Sequence, residues 1–153
     1  MFGSSCMKWF RKCWIKRQMH HIEFDDTQVF IPPITYAKVI KVYDGDTITV
    51  AARLHNDSKG IVYRFPVRFR GIDAPEMKGG SHIECQKAIV SRDALHSLIF
   101  GQIIELRNNG KEKYGRLLSD IYLDDLHVNK WMLDQKYAVA YNGKGAKEDW
   151  SVV

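Results

Sequence analysis

Two acidic segments of this sequence carry residue types from which a hydrolytic site could be built. Asp44-Gly45-Asp46-Thr47 places two carboxylates around a glycine, and Asp73-Ala74-Pro75-Glu76 holds two more, preceded by Arg68. Carboxylates bind hard cations, and guanidinium groups bind phosphate oxygens. The segments therefore suit a site where a cation and a phosphate meet. Each segment alone is also typical of a turn or surface hairpin with ion pairs.

A third segment, Lys113-Tyr114-Gly115-Arg116, supplies cations and an aromatic ring just before a predicted strand. A planar guanidinium can bind two phosphate oxygens at once, and a tyrosine can stack on a base or sugar. The same composition also suits a solvated loop. Together the three segments supply carboxylates for a cation, and guanidinium and ammonium groups for a phosphate.

The strands that would position these segments follow from alternation and turn residues. Strands are predicted at residues 36–43 and 47–54, joined by a type I′ turn at Asp44-Gly45, and at about 62–71. In the third strand, Val67 and Phe69 fall on the inward face and Arg68 on the other. A further strand pair is predicted at 103–107 and 116–123, with residues 108–113 as a polar loop.

Two helices complete the predicted fold. The first begins at Ser81, which with Glu84 makes a capping box, and ends at Gly101. The second is short and covers about residues 128–135. This order predicts a mainly β (α+β) fold, a five-stranded antiparallel barrel of the OB type capped by helices.

Length and charge set the domain organisation. The chain has 153 residues, 45% of them hydrophobic, and a formal net charge of +5. We expect a basic, aromatic arm and linker over residues 1–33 and one folded domain over 34–153, acting as a monomer. Three cysteines without metal-ligand spacing favour a reducing, intracellular compartment. Neither a secretory signal nor a transmembrane helix is evident from the sequence.

The first 22 residues contain no acid, and they separate on a helical wheel into two sides. The aromatic side comprises Phe2, Cys6, Trp9, Phe10, Cys13 and Trp14, and the basic side comprises Lys8, Arg11, Lys12 and Lys16. This pattern favours a helix that lies on an anionic membrane surface, where Cys6 or Cys13 could accept palmitate. A disordered basic tail and an arm that binds a polyanion are the alternatives. A zinc site of Cys6, Cys13, His20 and His21 lacks the paired spacing of structural zinc sites.

In order and spacing, the three segments resemble the staphylococcal nuclease (thermonuclease) family over about residues 35–141. The resemblance rests on residues 42–47, on 68–76, and on 113–116 leading into Ile121-Tyr122. It implies an OB-type barrel that uses Ca²⁺ to hydrolyse DNA and RNA, with single-stranded or fraying substrate preferred. The implied cleavage releases the 5′ oxygen and leaves a 3′-phosphate. The alternative is a barrel of this kind that binds nucleic acid without cutting it.

The resemblance also implies a role for individual residues. Asp46, Asp73 and the backbone carbonyl of Ala74 would bind Ca²⁺, and Asp44 would lie just behind them. Glu76 would activate the attacking water. Arg68 and Arg116 would bind the scissile phosphate. Lys113 and Tyr114 would contact the nucleotide's other phosphate, and Tyr141 would contact the base and sugar.

Overall fold

The structure, a computed structural model, describes residues 4–55, 60–78, 81–145 and 148–150, without the side chains of residues 4–6 and 8. Contacts divide the chain into two compact units, Met1–Phe30 and Ile31–Val153. The predicted division into residues 1–33 and 34–153 stays a prediction.

The first unit consists of helix α1 (Ser4–Met19) and a 3₁₀ turn (Phe24–Asp26). Lys16 and Arg17 occupy the last turn of α1, where positive charge is favourable beside the free carbonyl groups. The aromatic side chains Trp9, Phe10 and Trp14 are each more than 60% exposed. Phe2 and the side chains of Cys6 and Lys8, which the helical-wheel pattern included, lie outside the described part of the chain.

The second unit is a barrel with two helices. Its elements are β1 (Tyr36–Asp44), β2 (Thr47–Ala52), β3 (Tyr63–Phe69), β4 (Ile72–Asp73), α2 (His82–Ile99), β5 (Ile103–Lys111), β6 (Leu117–Leu123), β7 (Leu126–His127), α3 (Val128–Asp134) and β8 (Val139–Ala140). The sheet order is β3-β2-β1-β5-β6-β7, and a pairing of β3 with β6 closes it into a barrel of five main strands. The predicted five-stranded barrel with helices is confirmed. One detail was wrong, because the closing β3–β6 pair is parallel and the barrel is therefore mixed.

The barrel interior is filled by branched and aromatic side chains. Val39, Ile48, Val67, Phe69 and Ile121 are fully or almost fully buried. They come from β1, β2, β3 and β6, and in β3 the buried Val67 and Phe69 alternate with Arg68, as a one-sided strand pattern requires. Each such side chain stabilises the fold by about 1.5–3 kcal/mol through burial.

Helix α2 begins and ends where the sequence predicts. The Ser81 hydroxyl accepts a hydrogen bond from the Glu84 backbone N–H at 3.2 Å. At the other end Gly101 adopts φ +78°, and its N–H donates to the Val39 carbonyl at 3.0 Å. The helix end is thus tied to β1, and Leu95 and Ile99 are buried in the core.

The predicted polar loop at 108–113 was wrong for its first four residues, which belong to β5. β5 continues to Lys111, and its pairing with β6 shifts register between Arg107 and Gly110. Asn108 adopts φ +52° within this irregular stretch, which a period-two pattern does not anticipate. The connection to β6 is therefore a tight turn from Glu112 to Arg116, closed by a 2.9 Å hydrogen bond from the Glu112 N–H to the Arg116 carbonyl.

Candidate active site

A cleft of about 820 Å³ opens where the ends of several strands and their following loops meet. The ends of β1 and β3, strand β4, the β5–β6 turn and the segment after β8 all contribute to it. All the residues assigned to the candidate site from the sequence line this one cleft: Asp44, Asp46, Arg68, Asp73, Ala74, Glu76, Lys113, Tyr114, Arg116 and Tyr141. The fold thus brings together residues from the three segments and Tyr141, which follows β8.

Asp46 lies in the two-residue turn between β1 and β2 and is only 2% exposed. One of its oxygens accepts from the Ala74 N–H at 2.9 Å, and the other accepts from the Thr47 hydroxyl at 2.9 Å. The predicted type I′ turn was wrong, because none of Asp44, Gly45 and Asp46 has the positive φ that this turn type requires.

Gly45 is required by packing rather than by backbone conformation. A Cβ added there would lie 2.8 Å from the Ala74 Cβ, 3.0 Å from the Ser91 Cβ, and far inside contact distance of the Ser91 hydroxyl. That hydroxyl donates to the Tyr137 carbonyl at 2.8 Å. The turn that carries Asp46 is therefore pressed against both α2 and the Asp73-Ala74 segment.

Asp73 is held by the small second sheet and is also 2% exposed. β4 pairs with β8 so that Asp73 lies opposite Val139, and the Tyr141 N–H donates to the Gly71 carbonyl at 2.9 Å. Gly71, at φ +77°, makes the bend that carries the chain from β3 into β4.

Arg68 joins the two buried aspartates. Its Nη1 donates to Asp46 Oδ1, and its Nη2 donates to Asp73 Oδ1 at 2.7 Å. Burial disfavours the charged guanidinium, but the two carboxylates outweigh it and raise the pKa of Arg68. The two carboxylates therefore converge on one guanidinium group.

Burial nevertheless disfavours the ionised form of Asp46. Burial, with a further contribution from Asp44, raises the pKa of Asp46 to about 7, although Arg68 and two other hydrogen-bond donors act in the opposite direction. A cation beside this carboxylate would favour its ionised form. The chemistry of the donor set thus fits a bound cation.

Asp46 and Asp73 are the side chains best placed to hold a metal ion. The described residues contain no group of three or more His, Cys, Asp or Glu side chains that could hold a metal. A cation here would have the two carboxylates and water as ligands. Such an all-oxygen shell, completed by water, is typical of Ca²⁺ or Mg²⁺ and unlike a zinc site.

Glu76 is exposed at the wall of the cleft, two residues beyond Ala74. Its backbone N–H donates to the Glu84 carboxylate at 3.3 Å, which connects this segment to the first turn of α2. An exposed carboxylate in the cleft is accessible to water, as a general base must be.

Arg116 is positioned by Glu112, a residue that the sequence analysis missed. Arg116 Nε donates to the Glu112 carboxylate at 3.3 Å, and its Nη1 donates to the Thr47 hydroxyl at 3.4 Å. Glu112 also accepts from the Tyr114 N–H at 2.9 Å. Burial opposes ionisation of Glu112, but the Arg116 and Tyr114 hydrogen bonds lower its pKa overall. The four-residue spacing from Glu112 to Arg116 was the available signal.

Aromatic side chains and lysines complete the wall of the cleft. Tyr114 is 75% exposed, and the Lys113 ammonium lies 4.8 Å from the centre of its ring. Tyr141 is half-buried, and its hydroxyl donates to the Gly145 carbonyl at 3.4 Å. Flat rings beside cations in an open cleft suit a nucleotide, whose bases stack and whose phosphates are anionic.

Comparison with known proteins gives a family match for this part of the chain. The family model described as "Staphylococcal nuclease homologue" matches residues 66–150, more than half of the sequence. This range contains the Arg68–Glu76 segment and the β5–β6 turn. The hairpin with Asp44 and Asp46 lies before it.

Individual relatives extend the match. A Haemophilus influenzae protein named "Uncharacterized endonuclease" is 33% identical over 104 residues, which are 68% of this chain and 51% of the relative. An Escherichia coli O157:H7 protein of the same name is 32% identical over 107 residues, 69% of this chain and 61% of the relative. A rice protein named "Probable staphylococcal-like nuclease CAN3" is 32% identical over 83 residues, 54% of this chain and 20% of the relative. The chain thus spans about a fifth to three fifths of the length of these relatives.

Proposed function

Because this chain belongs to the staphylococcal nuclease family, we propose that it is a nuclease that hydrolyses phosphodiester bonds of nucleic acids. The names of its relatives support this reaction class. The observation that carries the proposal is the convergence of two buried aspartates, two arginines and one exposed glutamate on a single cleft. Phosphodiester hydrolysis needs these three kinds of group.

Arg68 and Arg116 would bind the scissile phosphate. The attacked phosphorus passes through a five-coordinate arrangement with additional negative charge on its oxygens, and forked guanidinium donors stabilise that charge. Both side chains are held in place by acceptors of the protein, Arg68 by the two aspartates and Arg116 by Glu112. Such anchoring reduces the conformational entropy lost when substrate binds.

Glu76 would accept the proton of the attacking water. Its exposed position in the cleft, close in sequence to Asp73 and Ala74, supports this role. Attack would expel the 5′ oxygen and leave a 3′-phosphate, as the family resemblance implies. DNA and RNA are both proposed as substrates, with single strands preferred.

Ca²⁺ is the proposed cofactor, held by Asp46, Asp73 and the Ala74 carbonyl, with Asp44 nearby. A bound Ca²⁺ would supply positive charge to the phosphate. The raised pKa of Asp46 supports this assignment, because a cation beside the buried carboxylate would offset the cost of burying its charge.

The test is release of acid-soluble nucleotides from single- and double-stranded DNA and from RNA, with Ca²⁺, Mg²⁺, Mn²⁺ or excess chelator. Asp46→Ala and Asp73→Ala should nearly abolish Ca²⁺-dependent release. They should also weaken Ca²⁺ binding measured by calorimetry, because each removes a charged ligand. Asp134→Ala is the matched control, since Asp134 lies on α3 in an exposed ion pair with Lys130. Undiminished activity in chelator would refute the metal assignment, and binding without any cleavage would favour the binding-only alternative.

We also propose that α1 places the protein on an anionic membrane surface. Exposed aromatic residues and basic residues share this one helix, which is the composition of an interfacial helix. None of the described helices combines the length and hydrophobicity needed to cross a bilayer. Cys13 is exposed and so accessible to acylation, while the Cys6 side chain is outside the described part of the chain.

The membrane proposal is tested by sedimentation with vesicles at low salt. The full chain should bind vesicles containing phosphatidylserine but not purely zwitterionic vesicles. Replacing Trp9, Phe10 and Trp14 together by alanine should abolish binding, whereas replacing Phe24 and Phe30, exposed aromatics of the same unit outside α1, should not. Equal binding of both variants would eliminate α1 as the contact.

A further inference from the structure

Two side chains near the end of β1, Lys41 and Tyr43, have no role in the reaction described above. Tyr43 lines the same cleft as Asp46 and Arg68, and it is 52% exposed. The Lys41 ammonium lies 5.7 Å from the centre of the Tyr43 ring, within the range of a cation–π interaction. An exposed aromatic ring beside a cation is therefore present at a second place in the cleft, separate in sequence from Lys113 and Tyr114.

The backbone of β1 turns these two residues outward. Its pairing with β2 shifts register between Val39 and Lys41, and again between Val42 and Asp44. Before the first bulge the odd-numbered residue Val39 is buried; after it the even-numbered residue Val42 is buried. In a regular strand Lys41 and Tyr43 would continue the phase of Val39 and face the barrel core. The first bulge reverses that phase, and bulges beside functional sites commonly redirect side chains in this way.

We propose that Lys41 and Tyr43 form an additional nucleotide-binding subsite, in which the Tyr43 ring stacks on an unpaired base and Lys41 binds a neighbouring phosphate. The proposal rests on the proposed function, because it places a nucleotide that flanks the scissile bond. Stacking accepts any base, so the subsite adds affinity without sequence preference. Both faces of a base are covered in a duplex, so the subsite favours single strands.

A second tyrosine–lysine pair in the same cleft supports a single nucleic-acid strand as the ligand. Tyr114 and Lys113 present the same pairing of ring and ammonium on the β5–β6 turn, and both tyrosines line one cleft. Two such pairs suit an extended strand better than a single nucleotide, which needs one ring and one or two phosphate contacts.

The test measures equilibrium binding of a fluorescently labelled, short all-thymine oligonucleotide in chelator, at fixed low salt, by anisotropy. Tyr43→Ala in the full chain should weaken binding by roughly 5- to 100-fold, as for loss of one stacked base. Tyr43→Phe should remain within about 2-fold of wild type because the ring is kept. Tyr36→Ala is the matched control, since Tyr36 is an exposed tyrosine of the same strand.

Two further measurements separate a binding role from a general disturbance. A single thymidine bisphosphate and a duplex of the same sequence should bind Tyr43→Ala and wild type equally, because neither offers a flanking unpaired base. Lys41→Gln should reduce the salt dependence of oligonucleotide binding by about 0.7 in the log–log slope, as for one phosphate contact on a single strand.

The outcomes distinguish this inference from the proposed nuclease activity. If wild type cleaves nucleic acid but Tyr43→Ala binds the oligonucleotide as tightly as Tyr36→Ala does, the subsite proposal is overturned and the nuclease proposal stands. Tyr43-dependent binding without cleavage overturns the nuclease proposal and supports the subsite. Wild-type protein that neither binds nor cuts the oligonucleotide overturns both.

Discussion

Replacing Gly45 by alanine is the sharpest perturbation that the structure offers. The new methyl group would lie 2.8 Å from the Ala74 Cβ, a position fixed by the backbone, and would overlap the Ser91 hydroxyl. Rotating Ser91 away would break its buried hydrogen bond to the Tyr137 carbonyl, which costs about 1–3 kcal/mol. Displacing Ala74 adds an overpacking cost of about 1–3 kcal/mol. We therefore expect Gly45→Ala to lower the free energy of unfolding by about 2–6 kcal/mol.

The same displacement should reach the candidate site, because the Ala74 N–H donates to Asp46. Nuclease activity and Ca²⁺ affinity should both fall even under conditions where the variant is folded. Gly110→Ala is the control. Gly110 also has no positive φ, but its added Cβ would meet only the flexible end of Arg70 at 3.0 Å and a carbonyl at 3.8 Å.

The assay is urea unfolding of Gly45→Ala, Ser91→Gly, the double variant and wild type. Ser91→Gly removes both Ser91 atoms that the new methyl group would contact, so Gly45→Ala should cost at least about 1 kcal/mol less in that background. Equal cost in both backgrounds would refute the packing argument. A cost below about 0.5 kcal/mol in wild type, the range of ordinary surface substitutions, would refute it as well.

The remaining predictions concern the charged groups of the cleft. Glu76→Gln should fold normally and bind nucleotide but turn over at least ~100-fold more slowly, as expected for loss of a general base. Turnover at the wild-type rate would exclude Glu76 as the general base. Arg68→Lys and Arg116→Lys should each lose at least ~10-fold in kcat/KM, because an ammonium group cannot replace the two parallel N–H donors of a guanidinium group. Rates near wild type for both variants would argue against bidentate phosphate contacts. Without metal, proton binding by Asp46 stabilises the folded state, because its pKa rises from 3.8 to about 7 on folding. This contribution is complete below about pH 4 and is lost as pH rises through 7. Urea unfolding in chelator should therefore show that the free energy of unfolding of wild type falls relative to that of Asp46→Asn between about pH 4 and pH 7. Parallel pH profiles of the two proteins would contradict the raised pKa of Asp46.

The fold was largely predictable because its strands have one buried face and its long helix has conventional ends. Ser81 and Gly101 mark α2 through local chemistry that is independent of the rest of the chain. The parallel β3–β6 closure and the bulges in β1 and β5 were not predictable. They depend on pairing between distant strands, which leaves little local trace in the sequence.

The convergence of the cleft residues was predicted by the resemblance, whereas the interactions that position them were not. Nothing near Gly45 in the sequence indicates Ser91, which is 46 residues away and contacts the turn only because α2 packs there. Tyr43 was predicted as an ordinary strand residue, since a bulge that reverses strand phase is invisible to a period-two pattern. Glu112 was assigned to a solvated loop, although it fixes both Arg116 and the Tyr114 backbone. Such supporting contacts are tertiary, and their residue types are common in turns.

The two arginines of the cleft are anchored differently, and this difference connects folding with chemistry. Arg68 donates to two carboxylates that are each 2% exposed, so replacing it leaves two buried charges without their partner. Arg116 donates to a single partly exposed glutamate and a hydroxyl. A guanidinium has five N–H donors, so Arg68 can bind both aspartates and still donate to phosphate, while an ammonium has only three donors at one point. Loss of Arg68 should therefore reduce both stability and activity, whereas loss of Arg116 should reduce mainly activity.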